Sequence, residues 1–124
     1  MQMASHPLNL LIRFLLEIAA LIAMGIWGWQ LSDSWIRYVA AIGIPLSLVS
    51  IWGIFAVPGD PSRSGGTIVK TPGFIRLAYE LLFFGFGVFA LYDSAFKILS
   101  LIMGLILILH YLFSIDRIIW LTNN

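Results

Sequence analysis

The sequence predicts an all-α integral membrane protein, a four-helix bundle of two helical hairpins with both termini in the cytoplasm. Three observations carry this expectation. Of 124 residues, 60% are hydrophobic and only 10% charged, with a mean hydropathy of +0.98, whereas soluble domains are about a quarter charged. Four stretches are each apolar and long enough to cross about 30 Å of hydrocarbon, which takes about 20 residues at 1.5 Å per residue. The second half of the chain also repeats features of the first.

The first span covers about residues 8–29, opened by Pro7 and interrupted only by Arg13 and Glu17. A cleavable signal peptide fits it poorly, because the apolar core of a signal is short and uncharged. Asp33 or Ser34 is the expected N-cap of the second span, about 38–57, which carries no charge. Pro45 removes one backbone hydrogen bond there and should bend the helix. Gly43, Ser47 and Ser50 form a narrow strip of small residues on which another helix can pack closely. Residues 58–72, "PGDPSRSGGTIVKTP", read as a cytoplasmic loop rich in proline, glycine and serine. They lack the spacing of a phosphate-binding loop.

Pro72 fits the opening of the third span, about 73–92, which contains Arg76 and Glu80. Asp93 or Ser94 should cap the fourth, about 98–120, uncharged until Asp116. Residues 1–57 and 73–124 thus form one hairpin each. Trp27, Trp29, Trp35 and Tyr92 fall at one boundary and Trp120 at the other, as interfacial anchors do. Arg13, Arg63, Lys70, Arg76 and Arg117 lie near one membrane face, Arg37 and Lys97 near the other. The positive-inside rule places the first face, with both termini and the loop, in the cytoplasm.

The repeat is visible at two offsets. A shift of 63 superposes Ile12, Arg13 and Glu17 on Ile75, Arg76 and Glu80, and a shift of 60 superposes Leu31, Asp33 and Ser34 on Leu91, Asp93 and Ser94. Helices 1 and 3 should therefore run in the same direction, related by an approximate two-fold axis along the membrane normal.

The chemistry concentrates on four side chains. Arg13, Glu17, Ala20, Met24 and Trp27 share one face of the first helix, and Arg76, Glu80, Phe83, Gly87 and Ala90 one face of the third. Glu17 lies roughly 13 Å into the hydrocarbon at helical rise, where a lone charge costs about 2.5–3.5 kcal/mol. Both charged faces must look inward. In one reading Arg13, Glu17, Arg76 and Glu80 pair along each helix or crosswise, as a structural lock or an assembly site. In the other, Glu17 and Glu80 serve a small transporter or binder of a proton or cationic solute. His110, Asp116 and Arg117 are secondary candidates, with a hydrogen-bonded packing role for His110 preferred to a proton relay. A metal would need both glutamates to converge on His110.

Net charge +1 argues against a nucleic-acid partner, and the absence of cysteine removes thiolate chemistry and disulfides. No set of nucleophile, base and orienting residue can be read, so neither an enzyme nor a cofactor is expected. The expected partners are the lipid bilayer and either a second copy of the chain or another membrane protein.

The stretches "LIRFLLEIAALIAMGIWGW", "IPLSLVSIWGIFAVP" and "IRLAYELLFFGFGVFALY" resemble the YrdB-like family of small bacterial membrane proteins. The resemblance covers nearly the whole chain and includes both Arg/Glu pairs, Trp27 and Gly28, Pro45, Trp52 and Gly53, Pro58 and Arg117. It implies four helices in a bacterial inner membrane and no known activity. The loop "PGDPSRSGGTIVK" departs from the more basic run usual in that family. Length and the first-helix glutamate are also similar to the small multidrug resistance exporters, but those lack an arginine one turn earlier.

Overall fold

The computed structural model describes residues 6–60 and 67–124, so Arg63 and the middle of the loop lie outside the described residues. The chain is all-helical in its main elements: α1 (Pro7–Gln30), α2 (Ile36–Ile54), α3 (Gly73–Asp93), α4 (Lys97–Phe113) and α5 (Ile115–Thr122). Two short strands, β1 (Phe55–Ala56) and β2 (Val69–Lys70), pair in parallel with Phe55 opposite Val69. They clamp the two ends of the loop together, and the Thr71 backbone N–H adds a 2.9 Å bond to the Ala56 carbonyl.

The helices number five among the described residues, not four. The expected fourth span breaks at Ser114, and α5 turns by 67° from α4. The break has a local cause. Ser114 ends α4 with φ −109° and ψ 26°, and its carbonyl accepts from the N–H groups of Arg117 and Ile118. Its hydroxyl oxygen accepts from Asn9 Nδ2 at 2.7 Å, and the Asn9 Oδ1 faces His110 Nδ1 at 2.8 Å. A new helix then starts with Asp116 in its first turn, where a carboxylate complements the helix dipole. By length and composition α1, α2 and α3 can each cross a membrane, and α4 with α5 supplies a fourth crossing if the bent pair counts as one.

Helices α1 and α3 form the centre, with α2 against α1 and α4 against α3. The central pair runs parallel. Arg13 meets Glu80, Ala20 meets Gly87 and Trp27 meets Asp93, in that order along both helices. A Cβ on Gly87 would sit 2.8 Å from that of Ala20, so glycine sets the closeness of the two backbones. The core between them holds Leu16, Ala20, Met24, Phe83, Phe84, Met103 and Leu107. A Cβ on Gly73 would strike the Leu121 carbonyl, which shows how tightly α5 folds back beneath the start of α3.

Both tight turns differ from the expected capping. Helix α2 has Trp35 at its N-cap without a side-chain bond, while Ser34 Oγ accepts from the Ile36 N–H at 3.4 Å and bonds Ser32. Asp93 is the last residue of α3 and Ser94 its C-cap. The Asp93 carboxylate is taken by the Trp27 indole N–H at 2.9 Å, across the central pair rather than along its own chain. The turn instead closes through bonds from Phe96 N–H to the Leu91 carbonyl and from Ala95 N–H to that of Tyr92. That motif needs a left-handed residue, and Ala95 supplies it at φ 71°.

Helix α2 buries no residue fully, and Gly43 has open space where a Cβ would go. The small-residue strip is therefore not covered by another helix among the described residues. Large apolar residues are exposed along the outer faces of every long helix, including Leu11, Leu15, Ile42, Leu46, Leu82, Leu101, Leu105 and Ile108. Soluble monomers rarely expose apolar surface of this extent.

Candidate functional site

The site grows around one carboxylate. Glu80 projects from the second turn of α3 and is fully buried. Arg76, one turn earlier, donates Nε–H to Glu80 Oε2 at 3.1 Å. From α1, Arg13 Nη2 lies 2.9 Å from Oε1. From α5, Arg117 Nη2 donates to Oε2 at 2.6 Å. The Tyr111 hydroxyl of α4 completes the set by donating to Oε1 at 3.1 Å. Four donors from four helices thus converge on one ionised group, in the charge-assisted geometry that is the strongest a carboxylate can accept.

Each arginine has further work. Arg76 Nη1 donates to the carbonyls of Trp52 and Phe55, at 2.5 and 2.6 Å, where α2 ends and β1 begins. Arg117 Nη1 donates to Asp60 Oδ1 at 2.6 Å, and Asp60 is itself buried. Arg13 Nε lies 3.5 Å from Glu17 Oε1. The guanidinium carbons of Arg13 and Arg76 stand 5.2 and 4.3 Å from the centre of the Trp52 ring, a distance at which the ring face attracts a cation. Trp52 in turn packs against Tyr79, Phe83 and Phe84, and Tyr79 donates its hydroxyl to the Leu48 carbonyl.

The expected site residues divide accordingly. Arg13, Arg76, Glu80 and Arg117 meet at one point, whereas Glu17 sits at its edge with its side chain 25% exposed. Among the described residues Glu17 touches the cluster only through the long contact with Arg13, beyond the usual hydrogen-bond range of about 2.7–3.2 Å. His110 is buried in a separate chain of bonds through Asn9 to Ser114. Its ring also meets that of Tyr111 edge to face, with centroids 5.3 Å apart. Asp116 stands in the first turn of α5. No three His, Asp or Glu side chains among the described residues gather as a metal site would require.

Sequence reasoning did not find Asp60, Tyr111 or Trp52 as members of the cluster, nor the central position of Arg117. One signal was available: Ser114 followed by Asp116 is a helix-start pattern. It marks a new helix that carries Arg117 back toward the bundle.

The sequence profile of a family described as "Protein of unknown function (DUF2568)" matches residues 11–108. The chain is 46% identical over 116 residues to "Uncharacterized protein YrdB" of Bacillus subtilis (strain 168), an alignment covering 94% of each chain. No solved structure matches it.

Proposed function

The chain belongs to the DUF2568 family, the YrdB-like proteins of unknown function, and from that premise we propose a multi-pass, non-enzymatic protein of the bacterial cytoplasmic membrane. In this reading the buried arginines and Glu80 lock the helices into one arrangement that a partner or a second copy recognises. The observation that supports it is the coordination of Glu80, fully buried and bonded from α1, α3, α4 and α5. A charge so completely committed orients helices and leaves no open position for a ligand. Taking one partner away from such a buried group costs about 3–5 kcal/mol, which is the force of the lock.

The same reading gives the topology. Helices α1, α2 and α3 cross, α4 crosses back, and α5 lies at the cytoplasmic boundary with Ile115 and Ile119 outward and Arg117 inward. The loop with Lys70 and both termini lie on the cytoplasmic side, and the turns with Arg37 and Lys97 outside. The two hairpins are approximate repeats, and the lock breaks their symmetry. The counterpart of the Arg13–Glu80 pair would join Arg76 to Glu17, but Arg76 is held instead by Glu80 and two carbonyls at the end of α2.

Single cysteines in this cysteine-free chain test the topology in intact cells. Ser32→Cys and Ala95→Cys should react with a membrane-impermeant thiol reagent added outside, and Thr67→Cys and Asn123→Cys only after permeabilisation. The reverse pattern, or all four reacting alike from outside, overturns the reading.

A further inference from the structure

Two glutamates lie in the central helices, and they differ in one respect that the lock does not explain. Glu80 accepts from four donors. The Glu17 carboxylate has no hydrogen bond among the described residues, only the 3.5 Å approach of Arg13 Nε, and a quarter of the side chain is open. The two guanidinium groups that could have closed on it are committed. Arg13 spends its Nη2 on Glu80, and Arg76 spends its Nε on Glu80 and its Nη1 on the Trp52 and Phe55 carbonyls.

Position makes this openness consequential. Glu17 lies two turns inside the first apolar span, and α2 passes over that side of α1, where a Cβ on Gly25 would lie 3.3 Å from the Ala41 carbonyl. That register carries Glu17 to the level of Leu48 and Trp52. Helix α2 offers it no charge, since its one charged residue is Arg37, at the far end. The charged groups facing Glu17 are Arg13 on its own helix, Arg76 and Glu80 on α3, and Arg117 on α5. With Glu17 ionised, the three arginines are balanced by Glu17, Glu80 and Asp60. With Glu17 neutral, the cluster holds one positive charge in excess. Arg13 shows where that excess would fall, because its Nη1 is buried without a hydrogen-bond partner.

We propose that Glu17 is a proton-exchange site in the membrane core, its carboxyl group taking up and releasing a proton through its open side while the arginines around Glu80 keep the helices in place. The division of labour follows from the coordination: one glutamate holds the helices, and the other is free to change charge. The inference rests on the membrane reading above, but not on the chain having a partner.

The test uses the unaltered protein in lipid nanodiscs and an apolar carbodiimide, dicyclohexylcarbodiimide, which partitions into the bilayer. It reacts with protonated carboxyl groups: the acid proton passes to a carbodiimide nitrogen, the carboxyl oxygen bonds to the central carbon, and an acyl shift to nitrogen leaves a stable N-acylurea carrying the whole reagent. Peptide mapping should find the adduct on Glu17 and not on Glu80. Labelling should fall about tenfold per pH unit once the pH exceeds the apparent pKa of the group. Glu17→Gln should abolish it, and Glu17→Asp should restore it. Alkaline carbonate washing of native membranes separates the two ways of failing. A chain that stays in the membrane yet shows no adduct on Glu17 at any pH overturns the inference and leaves the lock intact. A chain released by carbonate overturns the membrane reading and this inference with it.

Discussion

Replacing Glu80 by glutamine removes one charge and almost no volume, so it isolates the electrostatic part of the lock. The change leaves Arg13, Arg76 and Arg117 facing an amide whose nitrogen is itself a donor. Arg117 retains Asp60 at 2.6 Å and Arg76 retains the carbonyls of Trp52 and Phe55. Arg13 retains only the Glu17 carboxylate at 3.5 Å and the face of Trp52. The loss is therefore that of one well-buried ion pair at Arg13 plus weakened bonds at the other two arginines. A broken buried pair costs about 3–5 kcal/mol, against a total stability of about 5–15 kcal/mol for a domain. We expect Glu80→Gln to lose at least about 3 kcal/mol, read by reversible unfolding of purified protein in mixed detergent micelles. Adding Arg13→Gln, which removes the cation left uncompensated, should recover part of the loss, with a coupling energy of about 0.5–3 kcal/mol. A cost below about 1 kcal/mol, or additivity within about 0.5 kcal/mol, would refute the lock.

Other consequences follow from the same contacts. Glu17→Gln should cost no more than about 1 kcal/mol in that assay, because a long, partly exposed pair contributes little; a cost equal to that of Glu80→Gln would mean that Arg13 depends on Glu17 instead. Ala95→Gly should raise stability by about 1 kcal/mol, since Ala95 holds φ 71° and a side chain in the left-handed region is strained. A loss of stability on that change would show that the turn does not adopt this conformation.

Much of the framework is legible in the sequence because it depends on local rules. Apolar length marks α1, α2 and α3, and helical spacing puts Arg13 and Arg76 on the same faces as Glu17 and Glu80. What is not legible depends on contacts between distant segments. Arg117 pairs with Glu80 across 37 positions of sequence and with Asp60 across 57, and both pairs exist only because the chain breaks at Ser114. Hydropathy cannot see that break, since Ile115, Ile118 and Ile119 continue the apolar run. Asp60 lies in a segment whose composition reads as a solvated loop, yet Arg117 draws it into the interior. The expected caps do not form for a related reason. Asp93 has the chemistry of an N-cap, but the indole of Trp27 competes for its carboxylate and wins.

The most direct test of the account is the register of the central pair, because every contact of Glu80 with α1 depends on it. Ala20→Cys combined with Gly87→Cys places two thiols at the point of closest approach in a chain that otherwise has none. Mild oxidation in native membranes should give an intramolecular disulfide, which requires Cβ atoms about 3.5–4.5 Å apart, a span reached from the 2.8 Å of the ideal positions by a small parting of the two helices. If that pair stays reduced while cysteines at Ala20 and Ala78, one end of α3 removed, join instead, then α1 and α3 do not meet in this register, and the convergence of Arg13 on Glu80 falls with it.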